Sequence, residues 1–452
     1  MTDLRIAHQL IEGGQPDEGL AICSRILDSN PNDGQALFLS AVVMQRAEKF
    51  GLAQNLLERV ISLHPERQEP YINLAMCHEY RDPETALRLI DKAIEIDPSN
   101  PQPWMNKGIL ECRVGKPERG KAACQKALRL SPDNPGAHEN LSIAHIMLRE
   151  WKDAWEHYQY GLGSDFRRKL DYGVPDWDGK SPGTVVVYGE QGIGDEILFA
   201  SCIPDAKKHA NICIDTQSRL KGLFHRSFGE AHGTRFEAET TIDLETIDYQ
   251  CALGDLPRFY RTEAADFPGT PYLTPDPERC TQWRALLDTF PGRKIGLAWS
   301  GGSYNTMSER RSFTFDTFSP LLDTGDTYIS LEYADPGEIP IIHWPRAVEK
   351  GVDFDETVAL ISELDLVICV TTTVMHAAGA VGTPCWVLAP KVPPYICHME
   401  GNMPWYGCVE TYRQKTTWED LIKDEVLPDL DGTSEELIEI IKEYREKRLS
   451  GA

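Results

Sequence analysis

Four prolines in the first third of the chain, Pro31, Pro65, Pro98 and Pro132, are separated by 34, 33 and 34 residues. Each closes a similar apolar run: ILDSNP, VISLHP, AIEIDP and ALRLSP. A proline in that place ends one helix, because it lacks the amide that would continue the ladder, and it sets the direction in which the next begins. A second pattern keeps the same period. Ala7 and Gly19, Ala41 and Ala53, Gly108 and Gly120, and Ser142 and Ala154 are each twelve apart, with Ala75 and Ala86 eleven apart in the unit that is one residue short. Paired small residues at this spacing mark where two helices of a hairpin come too close for larger side chains. Such a chain stacks hairpins, each burying its face against the next.

Five hairpins are readable between Leu4 and about Asp165, and their period is that of a tetratricopeptide repeat. The large aromatic expected early in a unit is clear only as Trp104, with Tyr71 a near match. Asn73, Asn106, Lys107 and Asn140 fall on the first helices of their units, either facing a bound peptide or as solvated helix faces.

Beyond Val174 the pattern changes. The stretch from Val174 to Gly179 is rich in turn formers, and strands then alternate with helices: TVVVYG, a helix from about Asp195, NICIDT, a helix through Leu220, and TRFEAE. After Pro291-Gly292 comes a second series: strand KIGLAWS, helix FDTFSPLLD, strand TYISLEY, helix ETVALISEL, strand DLVICV, a helix from about Met375 and strand PCWVLA. Alternation of this kind indicates parallel sheets with crossover helices. Two such lobes, joined by a Pro-rich linker from Phe267 to Pro277, enclose a cleft at their strand ends, where open α/β sheets bind ligands. A last helix is expected from Ser434 to about Lys447.

Three loops carry polar chemistry. GEQGIGDE, from Gly189 to Glu196, runs from a strand into a helix, and Gly192 and Gly194 let a ligand approach the backbone. Asp195 there is either a reactive carboxylate or a first-turn acid complementing the helix dipole. Thr371, Thr372 and Thr373, followed by His376, open a helix after a buried strand, a place suited to a diphosphate or simply to a threonine cap. Ser300 and Gly301 end the first strand of the second lobe, with Arg310, Arg311 and Ser312 nearby; an arginine, small hydroxyls and a glycine turn suit phosphate oxygens.

With 452 residues, 41% hydrophobic and 26% charged, the composition is that of a water-soluble chain of two or three domains. It lacks an apolar run of the roughly 18–20 residues that a membrane span needs, and a cytoplasmic location is expected. A formal net charge of -24 disfavours nucleic acid as a partner. The twelve cysteines include no CxxC pair and are expected as reduced, mostly buried thiols. The spacing of Cys397, His398 and Cys408 matches no standard zinc site.

The second half resembles the bacterial lipopolysaccharide heptosyltransferase family and its tetratricopeptide-fused relatives, from about Trp177 to Gln414. The resemblance rests on GEQGIGDEILFAS, GLAWSGG, RRS (Arg310 to Ser312), ETVALISELDLVI, HAAGAVGTPCWVLAP and PWYGCVETYRQ, in that order. It implies a GT-B fold and inverting transfer of a sugar from a nucleotide donor, with no metal or other cofactor required. By position it makes Asp195 the general base, places Ser300, Gly301, Arg311, Ser312, Thr371, Thr372, Thr373 and His376 at the donor phosphates, and offers Glu332 to the ribose hydroxyls. Glu190, Gln191, Gly192 and Gly194 form the acceptor-side loop. The chain departs from the family at Thr371, where an aspartate is usual, at Glu356, and between Lys391 and Met403, which lacks a common tryptophan pair.

The expected architecture is thus α plus α/β: a tetratricopeptide solenoid over residues 1–167, an acceptor-side Rossmann-like lobe over 168–277, and a donor-side lobe with a C-terminal helix over 278–452. The expected activity is a glycosyltransferase whose repeats recruit a protein or peptide acceptor. Two alternatives stay open: an enzyme acting on a glycan or lipid-linked saccharide, with the repeats used for self-association, and a scaffold with a degenerate nucleotide-binding domain.

Overall fold

The computed structural model describes residues 2–164, 167–234, 241–302, 311–312, 315, 325–349, 351 and 353–414. The chain divides into two compact units, Met1–Ala144 and His145–Ala452.

The first unit is a helical solenoid. Helices α1 (Thr2–Glu12), α2 (Pro16–Ser29), α3 (Gly34–Arg46), α4 (Phe50–Leu63), α5 (Glu69–His78), α6 (Pro83–Ile96), α7 (Pro101–Arg113) and α8 (Pro117–Leu130) each pack against the next. In sequence, helix α9 (Pro135–Met147), within which the division falls, and helix α10 (Trp151–Tyr158) follow. The small-residue pairs are where hairpins close: a Cβ added to Gly120 would sit 2.7 Å from the Gly108 carbonyl oxygen, and one added to Gly19 would sit 2.9 Å from that of Ala7. Each repeat proline follows a helix end and begins the turn to the next hairpin. Two residues on, Asp33, Asn100 and Asn134 accept the amides of Ala36, Gln102 and Ala137 at 2.9, 3.0 and 3.0 Å, capping the coming helix.

The aromatic position proves to be a hydrogen-bonding position. Tyr71, Trp104 and His138 each stand six residues after a repeat proline and bond its carbonyl, Pro65, Pro98 and Pro132, at 3.2, 3.0 and 2.9 Å. His138 therefore does in its unit what Trp104 does, which an eye for aromatics alone passes over. Of the groove candidates, Asn73 donates to Glu69, Asn140 donates to Met105, and Lys107 pairs with Asp91. Asn106 is 4% exposed. The Asn73 and Lys107 contacts are exposed, whereas Asn106 is buried.

The second unit holds two parallel sheets. The first contains β1 (Thr184–Tyr188), β2 (Asn211–Asp215), β3 (Ala231–His232) and β4 (Tyr249–Ala252) in the order β3-β2-β1-β4. Its helices are α11 (Ile193–Ala200), α12 (Ile203–Ala206), α13 (Lys221–Phe228) and α14 (Pro257–Tyr260). After α15 (Pro277–Leu287) the second sheet forms from β5 (Lys294–Ala298), β6 (Thr327–Ser330), β7 (Ile342–His343), β8 (Leu366–Val370), β9 (Cys385–Ala389) and β10 (Val409–Arg413), in the order β10-β9-β8-β5-β6-β7. Helices α16 (Pro345–Val348), α17 (Phe354–Ser362) and α18 (Thr373–Val381) accompany it.

Most of the expected elements are present; α13 begins at Lys221 where a helix through Leu220 is expected, β3 precedes the expected strand over 234–239, and β4, β7, β10, α12, α14, α15 and α16 are additions. Short strands such as β7 carry too few residues to show a period. The expected helix over positions 316–323, most of the strand 234–239, Arg310 and the C-terminal helix lie outside the described residues.

Two expectations need correction. The stretch Val174–Gly179 is more than a linker: Asp176 bridges to Gln250, the Trp177 amide donates to the Gln250 carbonyl at 2.8 Å, and the Trp177 ring is 3% exposed. The expected boundary at residue 167 falls inside the second unit, because α10 belongs to that unit's core. Trp155 is 1% exposed, meets Phe199 and Trp405 edge to face, and donates from Nε1 to the Arg261 carbonyl at 2.7 Å.

Candidate functional site

Both sheets reverse direction of growth once. In the first, β2 and β3 lie to one side of β1 and β4 to the other; in the second, β6 and β7 lie beyond β5, and β9 and β10 beyond β8. The loops leaving β1, β5 and β8 therefore stand at switch points, where adjacent loops part and leave room for a ligand. These are the three loops that the sequence marks.

After β1 the chain turns through Gly189 to Gly192 into α11. Two carboxylates stand side by side at the helix start, and the structure separates their roles. Glu196 is 1% exposed; it accepts from the Thr216 hydroxyl, and from the Gln217 amide at 3.3 Å, tying α11 to the end of β2. Gly189 is needed because a Cβ there would run into the Glu196 carboxyl group. Asp195 is half-buried and folds back over Gly192, with the amides of Gly192 and Asp195 bonded to it. Burial, and then the negative charge of Glu190, raise its pKa to about 6, against the pull of those amides and of the Arg311 cation.

Glu190 and Gln191 are each tied into the first lobe. Glu190 is 6% exposed and pairs with Arg167 at 3.0 Å while accepting the Gly254 amide at 3.2 Å. Arg167, itself 2% exposed, also reaches Asp255 at 2.7 Å and donates to the Tyr158 carbonyl at 2.7 Å. Gln191 donates to the Tyr158 hydroxyl at 2.8 Å. Nothing in the sequence flags Arg167, since a buried ion pair leaves no local pattern.

On the second sheet, the chain leaving β5 wraps a carboxylate. The amides of Trp299 and Ser300 donate to Glu332 Oε1 at 2.6 and 2.8 Å, and the Ser300 hydroxyl donates to Oε2. Glu332 thus shapes the Ser300 turn. The Gly301 amide donates to the Ser312 hydroxyl at 3.2 Å. A Cβ at Gly301 would stand 3.1 Å from that of Thr372, so glycine lets this turn lie close against the loop after β8.

That loop leads into α18. Thr371 is 2% exposed; its carbonyl accepts from Arg311 Nη1 at 3.0 Å, and its hydroxyl has no partner among the described residues. Thr372 stands at the N-cap in extended conformation without capping through its side chain, and Thr373 follows, half-exposed. His376 lies one turn in. Its Nδ1 is 3.0 Å from the Tyr406 hydroxyl. Tyr406 is 3.4 Å from the Tyr272 hydroxyl, which donates to the Ile197 carbonyl of α11 at 2.7 Å. Burial, and then the Arg311 charge, lower the His376 pKa to about 4, so the ring is neutral at pH 7. Tyr406 and Tyr272 were not singled out by sequence. The signal was Gly379, an interior helix glycine where a Cβ would meet the Tyr406 ring.

The two lobes meet at these helix starts. A Cβ on Gly194 of α11 would lie 3.2 Å from His376 Cδ2 and 3.4 Å from Thr373 Oγ1 of α18. Asp195, Arg311, Thr373 and His376 thereby come together across the cleft, with Ser300, Gly301, Ser312, Thr371 and Thr372 along its second-lobe side. Two helix N-termini and an arginine favour an anion; beside them stands a carboxylate, ionised at neutral pH and basic enough to take a proton. The segment from Lys391 to Met403 is partly core: Cys397 and His398 are fully buried, and His398 Nδ1 is 2.8 Å from the Ile146 carbonyl. A separate hollow of about 510 Å³, lined by Arg284, Arg293, Lys294 and Glu363 among others, lies at the opposite strand ends of the second sheet. Its arginines pair with Glu363 and Asp326.

No family model matches the chain. It is 26% identical over 433 residues to Protein FlbA of Caulobacter vibrioides, covering 86% of this chain and 72% of that protein. A shorter likeness, 26% identical over 34% of this chain, joins it to Protein O-mannosyl-transferase TMTC1 of Mus musculus. Another, 30% identical over 27%, joins it to Protein O-mannosyl-transferase TMTC3 of Homo sapiens. The matches span only 17% and 14% of those two proteins. Among solved structures, a thermophilic TPR protein of Thermus thermophilus is 22% identical with a TM-score of 0.33, over 36% of this chain and 90% of that one. The hairpins described above, rather than this likeness, establish the solenoid. No helix of the described residues is long and apolar enough to cross a membrane.

Proposed function

We propose that the second unit is a glycosyltransferase of GT-B type, resembling the heptosyltransferases, and that the repeats recruit a protein acceptor. The observation that carries this is the meeting of Asp195 with Arg311, Thr373 and His376 at two facing helix starts.

In this proposal the diphosphate of a nucleotide-sugar lies on the second lobe, against the open amides of α18, the Thr372 and Thr373 hydroxyls, the Ser300–Gly301 turn and Arg311. Neutral His376 contributes a hydrogen bond rather than a charge. Glu332, held by the Ser300 turn, stands near the ribose. The acceptor hydroxyl enters from α11. Asp195 takes its proton as the oxygen attacks the anomeric carbon; the bond from that carbon to the phosphate oxygen breaks, and the nucleoside diphosphate leaves with its electron pair. No step calls for a metal. The two partial relatives named protein O-mannosyl-transferase join a segment like part of this chain to sugar transfer onto protein, which favours a protein acceptor but says nothing of the Asp195 chemistry. Linking a recruiting surface to the catalytic lobes raises the effective concentration of a weakly held client.

One observation favours a second reading, a nucleotide-binding scaffold without turnover: Thr371 occupies the usual aspartate position, with its hydroxyl unpartnered among the described residues. One experiment separates the two. The purified chain is screened for thermal stabilisation against a panel of nucleotide sugars and nucleoside phosphates, and each hit is then assayed for release of nucleoside diphosphate. A ligand at 100 times its Kd adds about 2.7 kcal/mol of stability. Stabilisation with release supports the enzyme, and stabilisation without release, with any acceptor tried, supports the scaffold. No stabilisation by any nucleotide at millimolar concentration defeats both.

A further inference from the structure

At the outer edge of the first sheet, β2 and β3 pair in the register Ile214 with Ala231 and Asp215 with His232. Side chains alternate between faces along a strand, and residues opposite one another in a parallel pair share a face. Cys213 and Glu230, each two residues earlier than Asp215 and His232, therefore project on the same face as they do. One ligand-type atom from each of Cys213, Glu230 and His232 lies within 4.8 Å of the others. His232 Nε2 is 3.1 Å from Glu230 Oε1, and Nδ1 is 2.7 Å from the Thr241 hydroxyl. Thr241 thus fixes the ring with its other nitrogen turned toward the carboxylate, the arrangement that outer-shell partners give to metal-binding histidines. Asp215 is committed elsewhere, to the Thr234 amide at 2.9 Å and the Tyr172 hydroxyl at 2.8 Å.

The three groups also form a gradient of access. Cys213 is 2% exposed, in a cluster with Val186, Ile242 and Ile247, whereas the His232 side chain is 16% exposed and that of Glu230 66% exposed. An ion can enter past Glu230 and stop against the thiol.

We propose that Cys213, Glu230 and His232 form a binding site for one zinc ion, with water as the fourth ligand. A thiolate, an imidazole and a carboxylate suit zinc, whereas magnesium and calcium prefer all-oxygen sets. The thiol gives up its proton to solvent as the sulfur–zinc bond forms, and thiolate and carboxylate together neutralise the ion. Burial and the neighbouring Glu230 push the free thiol up to about 12, so the ion must displace a firmly held proton. Bound metal would clip the two-residue strand β3 to β2. The inference concerns only this sheet edge and is independent of the function proposed for the cleft.

The test uses the full chain, stripped with a chelator and titrated with cobalt(II) as the probe. The expected result is one cobalt per chain, with thiolate-to-cobalt charge-transfer absorption and the visible bands of a tetrahedral ion, both bleached by added zinc. The charge-transfer band should vanish in Cys213→Ser, and affinity should fall at least 10-fold in His232→Gln and about 10- to 100-fold in Thr241→Val. Absence of a charge-transfer band in the unaltered chain overturns the proposal, as does a band that survives in Cys213→Ser. If Cys213→Ser does not fold, His232→Gln decides: an unaltered circular dichroism spectrum with unaltered cobalt affinity overturns the site equally.

Discussion

The solenoid and the cleft of the second unit solve opposite problems with the same kinds of residue. In the solenoid the decisive contacts are close in sequence and recur, so a position matters through its role rather than its identity. Tyr71, Trp104 and His138 share only a polar hydrogen on a ring, and that is enough to hold a turn carbonyl. In the cleft each contact occurs once and joins residues far apart: Gly194 with His376, Arg167 with Asp255, Tyr272 with Tyr406. Replacement should therefore be graded in the first unit and abrupt in the second.

The largest effect is expected at Asp195. If it is the general base, Asp195→Asn lowers turnover by about 10²- to 10⁴-fold while nucleotide binding persists. Stability should move the other way. A carboxyl group whose pKa is raised from 3.8 to about 6 on folding binds its proton more tightly in the folded chain, so stability falls as pH climbs through that window. The asparagine variant loses this penalty. Its melting temperature at pH 7 should equal or exceed that of the unaltered chain, with the advantage gone at pH 4. A variant that is less stable at pH 7 than at pH 4, relative to the unaltered chain, would show that the carboxylate is a structural cap.

Arg167→Met tests the opposite kind of residue. It strands Glu190 and Asp255 in a buried setting, and loss of one member of such a network typically costs about 3–5 kcal/mol. Denaturant unfolding of the second unit should show it. A loss below about 1 kcal/mol would mean that water reaches the pair, and that Glu190 is free to serve the cleft instead.

How much was legible follows the same division. The hairpins could be read because two independent spacings agreed, and because a turn that must recur leaves the same residue types each time. The strands β1, β2, β5, β6, β8 and β9 could be read from unbroken apolar runs, and the three cleft loops from glycines and hydroxyls placed at strand ends. What failed was whatever depended on a distant partner. Asp195 and Glu196 are adjacent and chemically alike, and only Thr216 and Gln217, packed beside α11 by the sheet, make one structural and leave the other in the cleft. That the Glu332 carboxylate also accepts the Trp299 and Ser300 amides depends on a strand end distant in sequence. Trp151 and Trp155 read as part of a repeat, yet their bulk is used in the core of the second unit.

In the first unit, Gly120→Val measures how much a repeated close approach tolerates. The added carbon would meet a backbone carbonyl, which cannot step aside as a side chain can, so the hairpin must open. Overpacking of this kind costs about 1–3 kcal/mol. The loss should appear in unfolding of the first unit and leave nucleotide stabilisation of the second unchanged. If both fall together, the two units unfold as one, and the contrast between graded and abrupt regions loses its basis.

The smallest effect isolates the period itself. Within the hairpins, Gly14, Glu48, Gly115 and Arg149 occupy equivalent turn positions, all with positive φ, at 82, 57, 74 and 61°. Glycine meets this conformation freely; for glutamate it costs about 1–2 kcal/mol, part of which is recovered because a glycine also gains freedom when unfolded. Glu48→Gly should therefore raise the stability of the first unit by up to about 1 kcal/mol, although it deletes a side chain and adds no contact. The short hairpin between α5 and α6 has no positive φ in its turn, and a glycine placed there, as at the exposed Arg81 in Arg81→Gly, should destabilise instead. Opposite signs from the same kind of substitution would show that the solenoid is specified by the backbone geometry of each turn. Equal signs would mean that side-chain contacts, as in the cleft, set its stability after all.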